Sequence, residues 1–219
     1  MMYLFDLDGT LIDSNGVWKQ VDHDFLSRRG LPYTREYYEG VAHVPLPMAA
    51  EFTKRYCGLE QSCEEIIAEW MEMSRDMYAH VPLKPGVRDY LEQCKSEGIP
   101  MAVVTSSMPE HCHTALNRLG LEQYFQNVTF AQQAGMHKRL PDVWLLAAEK
   151  NGVRPEDCTV FDDSLAACQG ARLAKMRVVG VHDKFFNGDE REMRAFCDVY
   201  IESFEELLYP SDKRELKRR

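Results

Sequence analysis

Short apolar runs recur along the chain: Tyr3-Leu4-Phe5, Met101-Ala102-Val103-Val104, Val128-Thr129-Phe130, Thr159-Val160-Phe161, Arg177-Val178-Val179-Gly180-Val181 and Val199-Tyr200-Ile201. They do not alternate between apolar and polar residues, and stretches with the 3.6-residue period of helices lie between them. Strands of that kind are buried on both faces, as in a parallel sheet covered by helices. The pattern predicts an α/β fold.

The predicted helices have readable ends. Val87, Tyr90, Leu91 and Cys94 recur at helical spacing between Gly86 and Gly98, and Gly98 stands where a helix-terminating glycine belongs. The segments Pro109 to Leu119 and Asp142 to Asn151 stop at Gly120 and Gly152. In Leu165 to Lys175, the small residues Gly170, Ala171 and Ala174 would let a helix lie close to the sheet. Residues 14–80 break this rhythm because they hold no good strand. They read as four helices: Gly16 to Arg29, Thr34 to Glu39 ended by Gly40, Pro47 to Cys57, and Ser62 to His80. Ser62-Cys63-Glu64-Glu65 forms a capping box at the start of the last. The expected organisation is an α/β domain of residues 1–13 and 81–219, interrupted after its first strand by a small helical domain, residues 14–80.

Composition limits the function. Of 219 residues, 45% are hydrophobic and 28% charged, enough apolar material for a large core. Lys+Arg 26 against Asp+Glu 35 leaves a net charge of -9. Nucleic acids and anionic membranes both call for a positive footprint, so neither is an expected partner. An anionic substrate would need a strong local source of positive charge. Asp6 comes too early for a signal peptide, and no run approaches the ~20 apolar residues of a membrane span. Seven cysteines, an odd number without a C-x-x-C pair, point to reduced thiols and a cytoplasmic protein. The basic run from Lys213 to Arg219 reads as a solvated tail. His111 and His113, two apart on a helix, would diverge and make a poor metal pair.

Three predicted strands end in polar residues unsuited to a buried strand: Asp6-Leu7-Asp8-Gly9-Thr10, Thr105-Ser106-Ser107 and Asp162-Asp163-Ser164. In an open α/β sheet, ligands bind beyond the carboxyl ends of the strands, where these residues would converge. Lys138, after the run ending at Phe130, can join them. In this order the four segments resemble the signatures of the haloacid dehalogenase superfamily of phosphotransferases. The first is Phe5-Asp6-Leu7-Asp8-Gly9-Thr10-Leu11-Ile12-Asp13-Ser14 and the second Val103-Val104-Thr105-Ser106-Ser107. Lys138 with Pro141-Asp142 resembles the third, and Val160-Phe161-Asp162-Asp163-Ser164 the fourth. Leu83-Lys84-Pro85-Gly86-Val87 is similar to the branch with a small helical cap, which includes β-phosphoglucomutase and phosphoglycolate phosphatase. Arg139 departs from the proline that commonly follows the lysine.

The resemblance implies a Rossmann-like three-layer core with a parallel sheet, and a helical cap that sets specificity. It implies Asp6 as the nucleophile that forms an aspartyl-phosphate and Asp8 as the general acid and base. It further implies Mg²⁺ held by Asp6, the backbone carbonyl of Asp8, and Asp163, with Asp162 as a candidate outer partner of that site. Thr105, Ser106 and Lys138 would bind the phosphate. His43, in the largely apolar loop from Gly40 to Pro47, is a candidate specificity residue; it can equally be incidental to packing. The expected activity is Mg²⁺-dependent hydrolysis of a small phosphorylated metabolite by a monomeric enzyme. A hexose-phosphate phosphomutase is the alternative, and a catalytically silent phospho-ligand sensor a third.

Overall fold

A computed structural model describes residues 1–41, 46–186 and 190–208. The chain divides into two compact units, one of residues Met1–Ser14 and the chain from Val81 onward, the other Asn15–His80.

The first unit is built on six strands: β1 (Met2–Phe5), β2 (Met101–Thr105), β3 (Val128–Phe130), β4 (Cys158–Asp162), β5 (Arg177–Val181) and β6 (Val199–Ile201). They form one sheet in the order β3-β2-β1-β4-β5-β6, and every neighbouring pair is parallel. The chain builds outward from β1 to β3, then crosses back and builds the other way from β4. β1 and β4 therefore flank the topological switch point, where an α/β sheet opens a crevice at its carboxyl edge.

Side-chain alternation along β1 shows why its sequence lacks polar positions. Met2 and Leu4 pack on one face with Val104, Trp144, Val160 and Val178. Tyr3 and Phe5 point to the other face, where Tyr90, Phe161 and Phe204 form an aromatic layer. The Phe5 and Phe161 rings stack with centroids 4.6 Å apart. That pair is the last apolar contact before the two strands run out into Asp6 and Asp162, and a backbone bond of 2.9 Å from Asp6 N–H to the Phe161 carbonyl carries the pairing one step further.

The second unit consists of α1 (Asn15–Ser27), α2 (Arg35–Val41), α3 (Leu46–Cys57) and α4 (Cys63–Tyr78). Val21, Phe25, Leu26, Tyr37, Ala50, Ile66 and Trp70 are among its buried residues. The capping box expected at Ser62 and Glu65 is formed in both directions. Arg29 grips Glu69 through two hydrogen bonds, 3.0 and 2.6 Å, with its guanidinium 3.6 Å from the centroid of the Phe25 ring.

Gly40 corrects one expectation, since α2 runs through it to Val41 rather than stopping there. A Cβ on Gly40 would lie 2.2 Å from Cζ of Phe52 on α3. The glycine admits a neighbouring ring instead of ending the helix.

The first unit also holds α5 (Val87–Ser96), α6 (Pro109–Arg118), α7 (Asp142–Lys150), α8 (Leu165–Leu173) and α9 (Glu190–Phe196). Among the described α-helices, α9 alone lies outside the sequence-based expectation; its sole buried residue is Met193, so it lacks an apolar stripe. Among the described residues, no helix is long and apolar enough to cross a membrane. All seven cysteines carry free thiols.

Candidate active site

The carboxyl ends of β1, β2 and β4 deliver three of the four polar segments to one edge of the sheet, and the loop after β3 supplies the fourth. Asp6 follows β1 directly and is 6% exposed. Asp162 closes β4 and is fully buried; Asp163 follows it and is 5% exposed. One carboxylate oxygen from each lies within 4.8 Å of the other two.

Lys138 enters this cluster. Its Nζ is 2.6 Å from Oδ1 of Asp6 and 2.6 Å from Oδ2 of Asp162. Both contacts are close ion pairs. Burial works against the ammonium charge, but Asp162 and then Asp6 outweigh it and hold the Lys138 pKa above its ordinary value. The Asp6 carboxyl moves well above the ordinary carboxylate range. Burial is the main cause; Lys138 opposes it, and Asp162, Asp163 and Asp8 reinforce it.

Three clustered carboxylates against one ammonium leave this buried site short of positive charge. Unbalanced buried charge is costly, and a set of hard oxygen donors suits a small divalent cation. The donor set therefore fits the metal that the family resemblance implies. Asp162 lies inside the cluster, in direct contact with Lys138.

The surrounding hydrogen bonds orient these groups. Thr10 Oγ1 donates to Asp163 Oδ1 at 3.1 Å, and the Ser164 backbone N–H donates to Asp162 Oδ1 at 2.9 Å. Asp8 lies in the turn after β1, partly exposed, and its Oδ1 accepts a bond of 2.6 Å from Ser14 Oγ. That turn is closed by Leu11 and Ile12 N–H groups donating to the Leu7 carbonyl. Thr105 is fully buried at the end of β2, and its hydroxyl accepts the Ser107 N–H at 2.9 Å. Ser106 is exposed beside it. Ser107 carries a buried hydroxyl with no hydrogen-bond partner, which makes it a further candidate for an incoming anion.

Thr10 and Ser14 belong to the first signature, yet the sequence assigned them no task. Their proximity to carboxylates depends on how the turn folds. His43 lies outside the described residues. His111 is buried and His113 exposed, so the two diverge as expected. His23 is exposed and 3.4 Å from Asp24.

Comparison with known proteins identifies the family. The family profile of haloacid dehalogenase-like hydrolases matches residues 3–181. A phosphorylated carbohydrates phosphatase of Thermotoga maritima is 31% identical over 183 residues, covering 81% of this chain and 83% of its own. A fructose-1-phosphate phosphatase of Escherichia coli is 30% identical over 182 residues, covering 81% and 94%. A crystal structure described as a beta-phosphoglucomutase from Thermotoga maritima superposes with a TM-score of 0.81 at 27% identity, covering 95% of this chain and 97% of that one. With the four polar segments gathered at one sheet edge and the profile spanning most of the sequence, the chain belongs to the haloacid dehalogenase-like hydrolases.

Proposed function

We propose that this phosphohydrolase cleaves the monoester of a small phosphorylated metabolite, a sugar phosphate by preference, through a phosphate transiently bonded to Asp6. The observation that carries the proposal is the Lys138 ammonium held 2.6 Å from both Asp6 and Asp162. A carboxylate kept beside a fixed cation can approach an anionic phosphoryl group, and a simple structural ion pair would not require two further carboxylates in the same buried space. The names of the carbohydrate and fructose-1-phosphate phosphatases favour the sugar phosphate.

In the first half-reaction an Asp6 oxygen bonds to phosphorus and the ester P–O bond breaks. Asp8 gives its proton to the departing alkoxide. In the second, Asp8 takes a proton from water, the resulting hydroxide bonds to phosphorus, and Asp6 departs as a carboxylate. Ser14 holds Asp8 in place through its 2.6 Å bond. Lys138, Thr105 and the Ser106 backbone hold the phosphoryl oxygens. Asp6 and Asp163, with the Asp8 carbonyl, would hold Mg²⁺ beside Asp162, and the bound ion would shield the attacking carboxylate from the anionic phosphoryl group. The Asn15–His80 unit would act as the cap that sets specificity, with His43 as its candidate substrate contact. We place the enzyme in the cytoplasm, as a monomer.

A phosphate-release screen of phosphorylated metabolites tests this reading. Wild type should release phosphate from sugar phosphates, and both Asp6→Asn and excess EDTA should abolish turnover. Unchanged hydrolysis by Asp6→Asn would remove the nucleophile assignment. Isomerisation of a hexose phosphate faster than phosphate release would make the enzyme a mutase, and inactivity across the panel would leave only phospho-ligand binding.

A further inference from the structure

The ammonium of Lys138 is fixed by Asp6 and Asp162, but a lysine side chain is long and flexible, so its aim depends equally on where its backbone starts. That backbone is clamped from two sides. On one, the indole N–H of Trp144 donates to the Lys138 carbonyl at 2.8 Å, and the Lys138 Nζ lies 5.6 Å from the centroid of the same ring. Trp144 is fully buried in the core on α7. On the other, α8 presents Gly170, where a Cβ would lie 2.0 Å from the Lys138 carbonyl oxygen and 2.7 Å from the Arg139 carbonyl carbon. Those neighbours are backbone atoms, which cannot rotate away as a side chain would.

We propose that Trp144 and Gly170 are positioning residues for Lys138, setting its side chain toward Asp6 by fixing the Lys138 carbonyl between α7 and α8. A core tryptophan needs only apolar neighbours, and a helix glycine facing a sheet needs only a nearby strand. Here both converge on one backbone carbonyl, that of the lysine in the candidate site. The proposal rests on the reading of Lys138 as the cation of the phosphoryl-transfer site.

The test uses the full chain and an aryl phosphate, with wild type and Lys138→Ala measured alongside. Trp144→Phe keeps an aromatic ring at the position and removes the N–H donor together with part of the ring volume, so its melting temperature is read beside its kcat; Gly170→Ala pushes on the same carbonyl from the other side. Trp144→Phe should lower kcat about 10-fold, within the range that small misplacements of catalytic groups produce, and leave KM within about twofold. Gly170→Ala should do the same or worse. The double variant should lose less than the product of the two single losses, because both act through one atom.

A Trp144→Phe chain with wild-type kcat and only a lowered melting temperature would overturn the proposal, as would independent, multiplicative losses. If Gly170→Ala fails to fold, Trp144→Phe alone decides. An inactive wild type, or a fully active Lys138→Ala, would instead refute the functional reading beneath it.

Discussion

Lys138 illustrates how much a single residue can carry and how little of that is local. Its identity was legible in the sequence because a lysine at that spacing completes a four-part pattern. Its two carboxylate contacts, the indole beneath its backbone and the glycine behind it come from four separate segments. The same limit explains Thr10 and Ser14, whose hydroxyls meet Asp163 and Asp8 only after the turn behind β1 has closed.

Asp22 on α1 was silent in the sequence for a related reason. Burial pushes its carboxyl up to about 7, partly offset by the Tyr37 hydroxyl 3.4 Å away. Between the unfolded value of 3.8 and about 7, the folded chain keeps a proton that the unfolded chain has released. Stability from this group is therefore greatest in acid and falls as pH rises through that window. Asp22→Asn should flatten the fall, raising the melting temperature relative to wild type at pH 8 and leaving it unchanged below pH ~3.8. Equal melting-temperature differences at both ends would show that Asp22 does not titrate in this way.

At the scale of elements, strands and most helices followed from hydrophobic spacing because double-sided burial leaves little room for polar residues. The failures are instructive. Glycine usually ends helices, whereas at Gly40 close approach of Phe52 uses the missing side chain. α9 escaped because only Met193 is buried and no periodic stripe results.

Contacts between distant segments were likewise invisible. Lys84, in the linker before α5, reaches Asp183 beyond β5 at 2.9 Å, and Asp183 is only 3% exposed. The Asp183 Oδ1 also accepts the Phe185 N–H at 2.8 Å. Lys84→Met would leave that carboxylate buried without its cation, at a cost of about 3–5 kcal/mol. Urea denaturation checks this, and a loss below about 1 kcal/mol would show that the pair is dispensable. Removing both charges with Lys84→Met and Asp183→Leu should recover part of the loss.

For the molecule as a whole, a net charge of -9 conflicts with an anionic substrate until its distribution is considered. Part of the acidic excess is concentrated where Asp6, Asp162 and Asp163 share one buried space with Lys138. Such a site should gain stability from a divalent cation. Saturating Mg²⁺ should raise the melting temperature by several degrees, and Asp163→Asn should greatly reduce the shift. An equal shift in both proteins would place the ion elsewhere.

The central claim is that Asp6 itself carries the phosphate during turnover. It is tested most directly by acid-quenching the enzyme while it hydrolyses an aryl phosphate, reducing any acyl phosphate with borohydride and mapping the peptides by mass spectrometry. A reduced carboxyl at position 6, present only when substrate is turning over, is the predicted result. Steady turnover with Asp6 unmodified, or a reduced carboxyl at another residue, would contradict it.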